Sequence, residues 1–205
     1  MAEIAGDFEI HLTVAAADAD RVAAFAERHR LGFVHILLDR GWQPGQPMLS
    51  LRTRGTEAEA RAVAGSWELR LGAESIPVTR VKLEAAPWNA GVPEHDADAA
   101  GAPERYFEHH VKLLLPDATG PRLAAVTEVA ARHGARLSRN ARRRRPDGRQ
   151  ERFVTQRCHR VGRSRAARRL DALVTDLRAA DYEVASIEAE YVVHDSCLRL
   201  DDGWL

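Results

Sequence analysis

The sequence predicts an α+β fold in which one unit is used twice, giving two four-stranded antiparallel sheets with helices on one face of each. Two observations lead there. The first is an internal repeat. Phe8-Glu9-Ile10-His11-Leu12-Thr13-Val14 and Phe107-Glu108-His109-His110-Val111-Lys112-Leu113 both read F-E-x-H, then apolar, polar, apolar, at an offset of 99. Ala26-Glu27-Arg28-His29 then matches Ala130-Ala131-Arg132-His133, and Val81-Lys82-Leu83-Glu84 matches Ile187-Glu188-Ala189-Glu190. The offset drifts in one direction, as loop insertions would make it drift. The second observation is the succession of hydrophobic periods, which reads β-α-β-β-α-β in each half.

Each element has its own signal. Residues 7–15 alternate apolar and polar, the pattern of a half-buried strand. Asp18 or Asp20 can cap a helix to about Arg30 that buries Val22, Phe25 and Ala26. Gly32 ends it, and Phe33–Asp39 is a second strand rich in branched residues. Gly41-Trp42-Gln43-Pro44-Gly45-Gln46-Pro47 is turn chemistry, and Met48–Arg54 alternates again. Thr56-x-x-Glu59 is a capping box opening a helix to about Leu71, and 76–85 is the fourth strand. The second half repeats the plan with strand 105–115, helix 119–134, strand 135–143, a loop at Pro146-Asp147-Gly148, strand 151–160, helix 164–180 and strand 182–193. This order suits a ferredoxin-like βαββαβ unit in tandem. The first repeat is 1–86 and the second is 105–205 with its C-terminal tail. Between them, 87–104 is a Pro/Gly/acidic linker, with Trp88 expected to pack on one lobe and Trp204 expected to anchor the tail.

The totals bound the function. Of 205 residues, 45% are hydrophobic and 29% charged, and 30 Lys plus Arg balance 30 Asp plus Glu. A chain without net charge has no general bias toward nucleic acid or membrane. Cys158 and Cys197 form no metal or disulfide pattern. No signal peptide and no apolar run of about 18 residues is present, so a cytoplasmic location is expected. Lysine occurs only as Lys82 and Lys112 among many arginines, which points to places where a compact ammonium serves better than a planar fork.

Alternation also names the residues on the sheet face away from the helices. They are Glu9, His11 and Thr13 on the first strand, with Ser50, Arg52, Arg54, Lys82 and Glu84 beside them. In the second half they are Glu108, His110 and Lys112, with Thr155, Arg157, His159, Glu188 and Glu190. Central strands seldom need His and Glu for stability. If the two faces meet across a cleft, burial would shift these groups and make a site for proton transfer or ligand binding. The first expectation is a small anionic, phosphorylated ligand. His11 and His110 would transfer protons and Glu9 and Glu108 would orient them. Thr13, Lys112, Arg52, Arg54, Lys82, Arg157 and His159 would hold the anion. The alternative is a divalent metal on His11, His110, Glu9, Glu108, Glu84 and Glu190. A third reading is a binding or regulatory module without chemistry, since topology alone implies none.

Two short resemblances bear on this choice. His11-Leu12-Thr13-Val14 resembles the H-x-T-x element of the two-histidine phosphoesterases. That resemblance implies paired histidines acting as acid and base on a phosphodiester, with hydroxyls on the phosphate. His110-Val111-Lys112-Leu113 departs from it, with Lys112 in the hydroxyl position. First-strand His and last-strand Glu in paired modules resemble the vicinal-oxygen-chelate enzymes, which implies a divalent metal. Those modules are βαβββ, without a second helix per copy.

Other residues read as structural. Arg142-Arg143-Arg144-Arg145 and the arginines to Arg165 could grip nucleic acid, but the run lies at a hairpin and reads first as a solvated tip. His29 and His133 sit at helix ends, where a cation favours the dipole. His35 and His109 read as bonded core histidines and Cys158 as a buried thiol. His194-Asp195-Ser196 holds triad residue types, but sequence adjacency does not make a triad.

Overall fold

The computed structural model describes residues 3–142 and 145–204. Arg143 and Arg144, the centre of the arginine run, lie outside the described residues. The chain forms β1 (Ala5–Val14), α1 (Ala19–His29), β2 (Gly32–Leu38), β3 (Gly45–Thr56), α2 (Glu57–Ala73), β4 (Val78–Ala85), α3 (Asp96–Ala99), β5 (Tyr106–Leu115), α4 (Gly120–Arg132), β6 (Ala135–Asn140), β7 (Gln150–His159), α5 (Arg163–Ala179) and β8 (Glu183–Asp195). A 3-10 turn, Leu198–Asp201, follows.

The strands do not make two sheets. All pairings are antiparallel, and they close into one eight-stranded barrel in the order β1-β3-β2-β6-β7-β5-β8-β4. Two seams join what the sequence suggested would stay apart. β2 pairs with β6 from Ile36↔Asn140 to Leu38↔Ser138, and β4 pairs with β8 from Lys82↔Asp195 to Ala85↔Tyr191. Hydrophobic alternation reports which face of a strand is buried, not which neighbour an outer strand finds. The backbone groups of those outer strands required partners, and each half supplies the other's.

The helices cover the outside of the barrel. Ile10, Leu12 and Val14 of β1 pack with Val22, Phe25 and Ala26 of α1 and Ala60, Ala64 and Leu71 of α2. In the second half Val111, Leu113 and Leu115 pack with Val126, Val129 and Ala130 of α4 and Leu173, Val174 and Leu177 of α5. Each such aliphatic side chain is worth roughly 1.5–3 kcal/mol when fully buried. With these residues committed outward, every second residue of each strand must face the barrel axis. The capping box forms as expected. Glu59 N donates to Thr56 Oγ1 at 3.2 Å, and Thr56 N donates to the Glu59 carboxylate at 2.7 Å.

The segment 87–104 contains α3 and runs against the start of α5, where Arg163 N donates to Pro93 O at 2.8 Å. Gly162 lies so close that a Cβ would stand 2.4 Å from Glu94 O. Trp88, by contrast, is 71% exposed and does not anchor the segment. The tail is anchored. Trp204 is buried and its Nε1 donates to Leu137 O at 2.9 Å, while Trp42 N donates to Asp202 O at 3.0 Å. Among the described residues, no helix is long and apolar enough to cross a membrane.

Candidate functional site

The barrel encloses a cavity of about 260 Å3. Its wall has two characters. Val34, Ile36, Leu38, Met48, Phe153 and Trp204 make an apolar side, and the residues of β1, β4, β5 and β8 make a charged one. Glu9, His11, Thr13, Lys82, Glu84, Glu108, His110, Lys112, Arg157 and Glu190 all line this single space. Residues expected on two separate sheet faces are therefore brought together, because those faces are the inside of one barrel.

The sheet register places them in two matching sets. Glu9 stands opposite Arg52 on β3 and Glu84 on β4, and His11 opposite Ser50 and Lys82. In the other half Glu108 stands opposite Arg157 on β7 and Glu190 on β8, and His110 opposite Thr155 and Glu188. Within these sets the halves differ in one charge, Lys82 against Glu188, and one step further along Thr13 and Arg80 stand against Lys112 and Ser186. The Lys82 ammonium crosses the cavity to bond Glu108 as well as Glu84, the latter at 2.5 Å. Glu108 also accepts from Arg157 Nε at 2.5 Å. His11 Nε2 lies 2.9 Å from Glu84 and 3.7 Å from Glu9. His110 Nε2 lies 3.4 Å from Glu108 and 3.6 Å from Glu190, and its Nδ1 is 3.0 Å from Thr155 Oγ1. One donor atom from each of Glu84, Glu108, His110 and Glu190 can be chosen so that all lie within 4.8 Å of one another. Four such donors at this spacing could hold a metal ion.

The titration behaviour follows from this crowding. Burial opposes the charge on Glu84, but Lys82 and His11 outweigh it and hold the carboxyl far below its usual range. Burial likewise opposes the charge on Glu108, and Lys82 and Arg157 hold it well below. Glu190 goes the other way: burial, with Glu84 and Glu108 nearby, pushes it well above the usual carboxylate range. Burial disfavours charge on His11, yet Glu84 and Glu9 raise its pKa. Three carboxylates thus converge with one ammonium among them, and Glu190 finds an ion-pair partner only in His110 among the described residues. Glu84 Oε2 meets the imidazole of His11 at 2.9 Å, and His11 Nδ1 is buried without a hydrogen-bond partner among the described residues.

Three residues expected in the site stand outside the cavity. Arg52 and Arg54 have side chains 84% and 83% exposed, where they meet Glu9 at 3.0 Å and Asp7 at 3.9 Å. They line an adjoining surface basin of about 800 Å3 that shares Glu9, Glu84, Glu188 and Glu190 with the cavity. His159 is exposed and lies against the Tyr106 ring, 4.7 Å between centroids. The cause is common to all three: these strands run past the rim, so alternation turns the side chains toward the axis but beyond the wall. Lys112 does line the cavity, with its ammonium 5.3 Å from the centre of the Phe153 ring.

A second polar group was missed. Arg80 bonds Asp195 through Nε and Nη2 at 2.8 and 2.5 Å, and Tyr106 Oη donates to Asp195 at 3.0 Å. Asp201 of the tail accepts from Arg157 Nη2 at 2.6 Å and Gln46 Nε2 at 2.8 Å, and lies 3.0 Å from Arg80 Nη2. Arg80 was legible, since it precedes Lys82 by two residues and so shares its face. Asp201 was not, because it enters from a tail without periodicity. The same geometry settles His194-Asp195-Ser196: Asp195 serves Arg80, and Ser196 Oγ accepts from Val81 N at 2.8 Å. His109 is buried with Nδ1 3.0 Å from Gln156 Oε1, as expected. His35 is not a bonded core residue. It is half-buried, its Nε2 has no partner among the described residues, and burial lowers its pKa. Cys158 is buried, which raises its thiol pKa.

No protein-family model matches the chain, and no curated protein matches it either. Among solved structures, a candidate monooxygenase from Lactobacillus acidophilus NCFM is similar at 14% identity and a TM-score of 0.32, covering 92% of this chain and 93% of that one. A mutant chlorite dismutase from Candidatus Nitrospira defluvii is similar at 8% identity and a TM-score of 0.30, covering 93% and 92%. The small subunit of acetolactate synthase from Thermotoga maritima follows at 11% identity and 0.28, covering 94% and 96%. Likeness at this level establishes neither a shared fold nor a shared chemistry.

Proposed function

We propose that the protein is a divalent-metal enzyme whose metal sits in the barrel on Glu84, Glu108, His110 and Glu190. The observation that carries this reading is the convergence of those four donors within 4.8 Å. Charge supports it. Lys82 and Arg157, expected to hold an anion, are already bonded to carboxylates, so the inner wall favours a further cation over a phosphate. Three carboxylates and one imidazole suit manganese, iron or zinc in the divalent state. The metal would supply Lewis-acid chemistry at the charged side of the cavity. The chain's own residues do the rest. His11, held toward its protonated form by Glu84 and Glu9, stands as a proton donor beside the cluster. Lys112, which has no carboxylate partner among the described residues, orients the polar end of a small substrate. Val34, Ile36 and Met48 hold its apolar body and exclude water.

The matching registers support a finer reading as well: two ferredoxin-like βαββαβ units arose by duplication and closed on each other. Each half carries Glu-x-His on its first strand, with Glu84 and Glu190 equivalent. The β4 and β8 ladders also shift register at equivalent places, between Thr13 and Val14 and between Lys112 and Leu113. In that reading, the exchange of Lys82 for Glu188 made one asymmetric site from two like halves.

The test is calorimetric titration of chelator-stripped protein with Mn2+. Wild type should bind one equivalent, and Glu190→Gln should weaken binding about tenfold or more, the equivalent of about 1.4 kcal/mol. Gln keeps the shape of a protonated Glu190, so the variant should still fold. Absence of Mn2+ binding by wild type, or equal binding by the variant, would refute the site.

A further inference from the structure

Asp201 is the residue of the cavity with the least reason to be there. It belongs to a short turn after the last strand, yet it is 4% exposed inside the barrel. Three strands converge on its carboxylate: β4 through Arg80, β7 through Arg157 and β3 through Gln46. Two guanidinium groups and one amide from different strands form a rigid fork for a planar carboxylate. Each arginine also has a second carboxylate partner. Arg80 keeps Asp195, and Arg157 keeps Glu108. The occupant is held by few polar bonds of its own, chiefly Trp204 Nε1 to Leu137 O, Trp42 N to Asp202 O and Gln46 Nε2 to Leu200 O.

We propose that the pocket of Arg80, Arg157 and Gln46 is a binding subsite for the carboxylate of a small organic acid, and that Asp201 is its internal stand-in. Asp201 and Trp204 line the same cavity as the Glu/His cluster, and Arg157 touches both Asp201 and Glu108. A ligand anchored there lays its body against Met48 and Leu38 and presents its far end to the charged wall. When the tail gives way, the cavity gains one positive charge and an opening at the end that Trp204 closes. The subsite uses no metal ligand, so it stands or falls separately from the metal reading.

The experiment uses full-length protein in excess chelator, with benzoate as probe. Asp201→Ala removes the internal competitor and should bind benzoate about tenfold tighter than wild type or better, because wild type binds only in its tail-open fraction. In wild type, saturating benzoate should speed amide hydrogen exchange across 198–204 while leaving β4 and β7 protected. Benzoate binding to neither protein overturns the proposal. So does binding to the variant with no change in wild-type tail exchange, which would make the pocket a fixed anchor for the tail. Tighter binding of inorganic phosphate than of benzoate overturns the assignment to carboxylates. If Asp201→Ala does not fold, the wild-type exchange measurement decides alone.

Discussion

The substitution Lys82→Met isolates the charge that organises the cavity. The ammonium bridges Glu84 and Glu108, whose side chains are each 1% exposed. A methionine side chain at this position would fill much the same volume but leave two buried carboxylates short of their shared partner. Removing one member of a buried ion pair costs roughly 3–5 kcal/mol, because the charge left behind stays desolvated. Arg157 still holds Glu108 and His11 still faces Glu84, so the lower end of that range, about 3 kcal/mol, is expected at pH 7. For a chain of this size that corresponds to a fall in Tm of roughly 6–12 °C. The sign with pH follows from the carboxyls. Burial raises both carboxyls and Lys82 is the largest influence lowering them, so without it their folded pKa values are expected to rise past those of the unfolded chain. The variant is then best off below about 4.5, the unfolded value, and loses stability as pH climbs through the raised folded values. Chemical denaturation of both proteins in chelator at pH 7 and pH 5 measures this, and the gap should shrink markedly at pH 5. A gap under about 1 kcal/mol at pH 7, or one that does not narrow on acidification, would show that the bridge carries little of the fold.

Other outcomes follow from neighbouring parts of the structure. Asp201 and Asp195 have folded pKa values held low: burial opposes their charge, but the guanidinium partners outweigh it. Their contribution is present above about pH 3.8 and lost as pH falls through the folded values, so Asp201→Asn should flatten the acid limb of stability against pH in a urea titration series. Trp204→Ala should cost roughly 3–5 kcal/mol and expose the tail to limited proteolysis. Gly162→Ala drives a Cβ into the carbonyl of Glu94 and should lower Tm and release the 87–104 segment, read as faster hydrogen exchange there. Thr56→Ala should cost about 1 kcal/mol in chemical denaturation through loss of the capping box, with no change in Mn2+ binding.

The sequence was most legible where periodicity is strict. The alternation Phe8-Glu9-Ile10-His11-Leu12 assigns one set of side chains to the helices and the other to the opposite face, and the barrel obeys it residue by residue. That is why the sequence alone groups Glu9, His11, Glu108 and His110. What periodicity does not encode is the partner of an outer strand. The seams β2 with β6 and β4 with β8 depend on how far Leu38 and Asp195 extend, and a two-residue period is silent on that. The same blindness put Arg52, Arg54 and His159 in the site, because alternation fixes direction but not distance from the rim. Asp201 escaped for a different reason. A side chain delivered by a nonrepetitive turn has no pattern to read, and only the complementary arginines show where it goes.

Closure of the barrel also governs what the molecule can do with other copies of itself. Sheet edges are where unrelated chains add strands and where aggregation begins. In this fold the four strands that would be edges in separate sheets are all consumed, by three pairs at one seam and four at the other. The weak point is therefore the shorter seam, Ile36–Leu38 against Ser138–Asn140. A chain cut between its halves would expose all four edges at once, so the halves should be sticky when expressed apart and well behaved only when joined.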